Sequence, residues 1–206
     1  MSDATPGRPI TPADRRFMDA ALACAFGALG STAPNPAVGC VIVKAGRVLA
    51  AAATAPGGRP HAETQALALA GAEARGASAY VTLEPCAHHG QTPPCADALV
   101  EAGIGEVIIA CGDPFAEVNG RGAAILWAAG IPVIEGVRRD AAEALNAGFF
   151  ETVRSGRALA VEDDRPGLVD AHLEMQAGET PEDALARAAA DGLTRVRLVR
   201  SGETQR

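Results

Sequence analysis

Two short stretches concentrate the side chains able to handle metals and protons. Residues 82–97, TLEPCAHHGQTPPCAD, hold two of the five cysteines and two of the four histidines, and PHAET at 60–64 adds a third histidine with a carboxylate two positions on. His61, Cys86 and Cys95 offer one imidazole and two thiolates. That donor set suits tetrahedral Zn²⁺, with three protein ligands leaving the fourth position to water, the arrangement of a catalytic site. Two thiolates cancel the charge of the dication, so the metal is a weaker acid toward its water than one held by three neutral histidines. A general base beside it should help, and Glu63 is the candidate. At i,i+2 spacing His61 and Glu63 cannot share a helix flank. They converge only if a helix N-terminus points at the metal, and Pro60 predicts a helix beginning there. Cys86 is expected at a strand end and Cys95, after Pro93-Pro94, at a second helix start, where a thiol's pKa falls toward the thiolate that zinc requires.

The elements that must position these residues follow from periodicity and punctuation. Thr11-Pro12-Ala13-Asp14 reads as a helix start, and Phe17, Met18, Ala21, Leu22, Ala25 and Leu29 recur at helical spacing up to Gly30. AVGCVIV (37–43) predicts a buried strand, and KAG turns the chain into RVLAAAA, its hairpin partner. Further on, the pattern predicts a helix over 61–74, a strand over 78–83, a helix from Pro93 to about Ala102 and a strand over 106–111. AAILWAAG is then helical, IPVIEGV a strand, and 139–154 a last helix. This alternation predicts an α/β fold with a mixed, mostly parallel sheet of about five strands covered on both faces. Residues 1–10 are expected to be disordered, 11–157 to form the domain, and 158–206 to be a linker and short C-terminal extension. Its TPEDALARAAADGLTRVRLV could form one helix and one strand, too little for an independent second domain.

Composition excludes other classes. A net charge of −7 repels phosphate backbones, and seven aromatic residues in 206 leave little to stack bases on, so no nucleic-acid partner is expected. No run approaches 18 apolar residues, so no membrane span is expected. The opening MSDATPGRPI lacks an apolar signal core, and five thinly spread cysteines suit a reducing compartment, so a cytoplasmic location is expected. Cys24, Cys40 and Cys111 sit in apolar runs as small core residues, and neither His89 nor His172 has an argument for a role.

His-x-Glu followed by Pro-Cys and a second Cys is the signature of zinc nucleobase deaminases, in which the Glu shuttles protons and does not ligate. Eight residues, AHHGQTPP, separate Cys86 from Cys95 where most cytidine and adenosine deaminases have two. With PNPAVGCVIV, GGRPHAE, ARGASAYVTLEPCAHHGQTPPCADAL, AGIGEVIIACGDP and LNAGFF, the chain resembles, from about Asp14 to Arg157, the deaminase domain of the riboflavin-biosynthesis RibD family. The resemblance implies a cytidine-deaminase-like three-layer α/β/α sandwich and hydrolytic removal of the 2-amino group of 2,5-diamino-6-ribosylamino-4(3H)-pyrimidinone 5′-phosphate. A metal-activated water would attack the ring carbon and Glu63 would pass a proton to the departing ammonia. It implies His61, Cys86 and Cys95 as zinc ligands, and Asn35, Thr54, His88, Gln91 and Asp113 as substrate contacts. A homo-oligomer is also implied.

The chain departs from the family pattern at Thr54, where many relatives have histidine, at Gln91, where Lys or Arg is frequent, and at Phe115, where an asparagine commonly meets the sugar. Arg59 or Arg121 could supply the missing charge toward a phosphate. Relatives usually continue into a reductase domain; the 50 or so residues after Arg154 lack a glycine-rich dinucleotide loop, so no reductase activity and no NADPH are expected. Two other readings remain at this point: a zinc deaminase for another aminopyrimidine or purine, and a non-catalytic binding protein on the same fold. The second has no use for Glu63.

Overall fold

The computed structural model describes residues 8–87, 93–114, 120–162, 165 and 167–199. Helix α1 spans Pro12–Ala28, with Thr11 as N-cap; its side chain accepts from the Asp14 N–H while Asp14 reaches back, the reciprocal cap expected. Arg8, inside the segment expected to be disordered, is held by Asp14 and Glu106 through ion pairs of 2.7 and 3.0 Å.

Strands β1 (Gly39–Lys44) and β2 (Arg47–Ala53) form an antiparallel hairpin. Ala45 and Gly46 both have positive φ, as the right-handed twist of a two-residue hairpin loop demands. Helix α2 (Ala62–Ala70) follows, stops at Gly71 and gives way to a single 3₁₀ turn, shorter than the helix expected over 61–74. Strand β3 (Ser78–Leu83), α3 (Cys95–Glu101), β4 (Glu106–Cys111), α4 (Arg121–Ala128) and β5 (Val133–Glu135) complete the sheet and one of its faces.

The sheet order is β2-β1-β3-β4-β5. β3–β4 and β4–β5 pair in parallel while β2–β1 and β1–β3 are antiparallel, so β2, β3, β4 and β5 run the same way and β1 alone is reversed, the mixed, mostly parallel sheet expected. The physical reason is the hairpin: β1 must reverse into β2, and both sit on the edge side of β3. Helices α1 and α5 (Arg139–Leu145) cover one face; α2, α3 and α4 cover the other. β1, β3 and β4 are buried along almost their whole length, matching their unbroken apolar sequences.

The helix expected over 139–154 is two helices, α5 and α6 (Ala147–Ser155), broken at Asn146. The buried Asn146 amide takes the Ala37 N–H at 3.0 Å and donates to the Ala37 carbonyl at 3.1 Å, which fastens the break between the two helices to the chain just before β1.

The C-terminal extension contains more than one helix and one strand. β6 (Leu159–Ala160), β7 (Ala171–Glu174), α7 (Pro181–Ala190) and β8 (Arg195–Val199) form a parallel sheet of order β6-β8-β7 around Ala158, Leu173, Ala184, Ala188 and Val196. It packs on the main body where α6 presents Gly148: a Cβ there would lie 2.6 Å from the Thr194 carbonyl oxygen. Among the described residues no helix is long and apolar enough to cross a membrane.

Candidate active site

Cys86 lies three residues beyond the carboxyl end of β3, and Asp113 two residues beyond that of β4. Ligands in open α/β sheets gather at this edge because the strands end there and the helix N-termini face it. Into the same edge point two helix starts. His61 is the N-cap of α2 and Glu63 lies in its first turn; Cys95 is the first residue of α3. The i,i+2 pair therefore converges at a helix end, as the spacing required.

His61 Nδ1 lies 3.3 Å from Cys95 Sγ and 3.7 Å from Cys86 Sγ, and the three donor atoms fall within 4.8 Å of one another. Zinc–nitrogen and zinc–sulfur bonds at tetrahedral angles put the N···S edge at about 3.6 Å. The two observed edges bracket that length, and the donor set is the one zinc favours, so these residues fit the ion. The Cys95 backbone N–H donates to Cys86 Sγ at 3.2 Å. Hydrogen bonds from Cys95, and then from His61, pull the Cys86 thiol down to about 4, so one sulfur is poised as thiolate. The Cys95 thiol is held well above its usual range, first because it donates to that thiolate and then by burial.

Glu63 is 3% exposed, and burial pushes its carboxyl up to about 7; the neighbouring Cys86 thiolate adds to this, while its own backbone N–H works the other way. A dication held by the three neighbours would pull it back down. The Gln65 amide donates to the Ala53 carbonyl at 2.6 Å and the Pro60 carbonyl at 3.0 Å, tying the end of β2 to the turn that carries His61.

A cavity of about 280 Å³ opens beside His61 and Cys86, lined by Asn35, Arg59, Glu63, Glu84, Asp113 and Phe149 among others. Asn35 is partly buried and packs on Gly58, where a Cβ would overlap its amide. Thr54 also lines the cavity, yet its hydroxyl accepts the Val38 N–H at 3.0 Å, so it shapes that wall through the backbone. Arg59 lines the cavity; Arg121, at the start of α4, does not. His88, Gln91 and Phe115 lie outside the described residues. Cys40 and Cys111 are buried core residues, and Cys24 is partly exposed.

Sequence reasoning missed Gln65, Glu84 and Asn146. The signal for Glu84 was present: an acid between an apolar strand and Pro85-Cys86 has to be buried and therefore paired. Gln65, four residues after His61, shares its side of α2. Nothing in the periodicity of 139–154 marked Asn146.

Residues 11–111 match the family model described as the cytidine and deoxycytidylate deaminase zinc-binding region, which sets the class: a zinc deaminase. The chain is 49% identical over 143 residues to riboflavin biosynthesis protein RibD of Escherichia coli (strain K12), covering 69% of this chain and 39% of that protein. It is 42% identical over 143 residues to the diaminohydroxyphosphoribosylamino-pyrimidine deaminase of Buchnera aphidicola subsp. Schizaphis graminum, covering 69% of this chain and 97% of that protein. The chain belongs to the family of diaminohydroxyphosphoribosylaminopyrimidine deaminases, within the zinc-dependent cytidine and deoxycytidylate deaminases.

It spans about two fifths of the length of the RibD proteins it matches. Among solved structures, the diaminohydroxyphosphoribosylaminopyrimidine deaminase/5-amino-6-(5-phosphoribosylamino)uracil reductase of Thermotoga maritima is 40% identical with a TM-score of 0.69, over 72% of this chain and 43% of that one. Acinetobacter baumannii RibD, form 1, is 26% identical with a TM-score of 0.80, over 91% of this chain and 80% of that one. Coverage of 91% leaves about a tenth of the chain unmatched, less than the 49 residues of 158–206, so that likeness extends into the C-terminal sheet.

Proposed function

We propose that this chain is a zinc-dependent aminohydrolase that removes the 2-amino group of 2,5-diamino-6-ribosylamino-4(3H)-pyrimidinone 5′-phosphate, giving the 5-amino-6-ribosylaminouracil phosphate. The observation that carries the reading is the buried carboxyl of Glu63 beside the His61, Cys86 and Cys95 donors, facing a cavity large enough for a pyrimidine ring. Its membership among the diaminohydroxyphosphoribosylaminopyrimidine deaminases supports the choice of substrate.

His61, Cys86 and Cys95 would hold the metal, which would supply an activated water for attack on the ring carbon bearing the amine. Glu63 takes the proton lost from that water and returns it to the leaving nitrogen. Its buried position, two residues on from His61 in the first turn of α2, keeps the carboxyl within the site and out of bulk solvent. Asn35 and Asp113, both in the cavity lining, hydrogen-bond the pyrimidine and the sugar; His88 and Gln91, which lie outside the described residues, are the further substrate contacts of this reading. Arg59, the one Lys or Arg among the described lining residues, faces the phosphate.

The acidic lining favours a second reading: Glu63 and Asp113 share the cavity wall with a single guanidinium, that of Arg59, which suits a phosphate-free aminopyrimidine better than a dianion. Ammonia release decides between them. The zinc-loaded protein is given the ribotide and, separately, its dephosphorylated form. Turnover of the ribotide with little of the other supports the proposal; turnover of the dephosphorylated compound alone overturns it in favour of the second reading. Failure of both compounds with metal bound overturns both.

A further inference from the structure

We propose that Glu84 is a positioning residue of the deaminase centre, a clamp that fastens the metal-bearing turn after β3 to the N-terminus of α4. The inference rests on the zinc-deaminase reading for the identity of the ligands. Glu84 is a carboxylate only 4% exposed, two residues before Cys86. A buried carboxylate is tolerated only when its oxygens are satisfied. Here Oε2 accepts the Gly120 N–H at 3.0 Å, and Oε1 accepts the Gly122 and Ala123 N–H groups at 2.9 and 3.2 Å. These are orphan donors of the first turn of α4, where the helix dipole favours a negative charge.

Two further contacts show that the clamp is closed on both sides. The Glu84 backbone N–H donates to the Cys111 carbonyl at 3.0 Å. One residue thus holds the end of β4 with its backbone and the start of α4 with its side chain, bracketing the segment that begins with Asp113. On the other side, a Cβ at Gly122 would overlap the Pro85 carbonyl oxygen, so α4 lies directly against the peptide that leads into Cys86. The direction of the Cys86 sulfur therefore depends on the seat of α4 against Glu84 and Pro85. The Glu84 carboxylate accepts from the backbone N–H groups that open α4, so it acts on the site through the backbone.

Glu84→Gln keeps the shape but turns one acceptor into an N–H donor facing a backbone N–H. The test uses the full chain loaded with Co²⁺, whose ligand-field bands report the geometry of the bound sulfurs without any substrate. Outer partners of metal ligands typically change affinity by 10–100-fold. The expected result is shifted bands and transfer of cobalt to a chelator at least about ten-fold faster than from the unsubstituted protein. Leu126→Ala, a buried position further along α4, destabilises the same helix away from the clamp and should leave the bands and the release rate within about two-fold.

Unshifted bands in Glu84→Gln, or an equal shift in Leu126→Ala, would overturn the clamp while leaving the deaminase reading standing. A protein that takes up no cobalt at all would fail the metal reading and the inference together. Should Glu84→Gln not fold, Glu84→Asp, which withdraws the charge by one methylene, replaces it with the same two readings.

Discussion

The backbone N–H of Cys95 points at the sulfur of Cys86 across 3.2 Å, joining the first residue of α3 to the turn after β3. Eight residues intervene in the chain, yet the two sulfur-bearing positions are held together by a bond that needs no metal. The same contact helps to draw the Cys86 thiol down to about 4, so the site presents a thiolate to an incoming dication.

Cys95→Ala tests the ligand set. It leaves the N–H in place and removes one donor. Zinc content by atomic absorption should fall from one per chain toward none, with a lower Tm, because ligation and folding are coupled. A Cys95→Ala protein that keeps its zinc would exclude Cys95 as a ligand.

Glu63→Gln preserves the volume of a fully enclosed side chain and removes its basicity. Zinc should remain stoichiometric while kcat falls by about 10²–10⁴-fold, the usual worth of a positioned acid–base group. Turnover within a few-fold of the unsubstituted enzyme would show that the proton travels by another route.

Arg59→Gln addresses the phosphate. A charge-assisted hydrogen bond is worth about 1.5–3 kcal/mol, so KM for the ribotide should rise about ten-fold or more with kcat little changed. KM for the dephosphorylated compound should not move. A parallel rise for both compounds would place Arg59 elsewhere in recognition.

Acid stability should depend on Asp14. Arg8 donates to both its oxygens at 2.7 and 2.9 Å, and Thr11 and Tyr80 add further hydrogen bonds, holding the carboxyl well below the usual range. The unfolded chain, with an Asp pKa of about 3.9, then binds a proton that the folded state refuses. The contribution is complete above that value and is lost as pH falls below it toward the depressed folded pKa. Asp14→Asn should flatten this limb of a denaturant-midpoint-versus-pH curve. At neutral pH it should cost about 1.5 kcal/mol, the low end for bonds to a charged group, since Arg8 is 40% exposed. An unchanged acid limb would remove Asp14 from the account.

Asn146→Ala would strand the Ala37 N–H and carbonyl, each costing about 1–3 kcal/mol when buried without a partner. Chemical denaturation should register that loss. KM should rise as well, because Asn35 lies two residues away and Phe149, on α6, lines the same cavity. Loss of stability with KM unchanged would confine Asn146 to the fold.

Local pattern sufficed for much of this protein. SAYVTL and EVIIAC are strands with the bounds their β-branched composition implied, and RVLAAAA is a strand because the KAG turn folds it back onto β1. His61, Glu63, Cys86 and Cys95 were legible as one site from residue type and spacing, since few chemistries need an imidazole, a carboxylate and two thiols each at the start or end of an element.

Only the tertiary structure decided the rest, for a common reason: the partners are far apart in sequence. Glu84 meets Gly120, Gly122 and Ala123 across more than thirty residues, and Asn146 meets Ala37 across more than a hundred. No periodicity encodes such pairings; they arise when burial forces each polar group to find whichever partner the packed chain brings near. The order of strands in the main sheet and the small sheet of β6, β7 and β8 were set in the same way, by which edges and apolar faces met once the chain had collapsed.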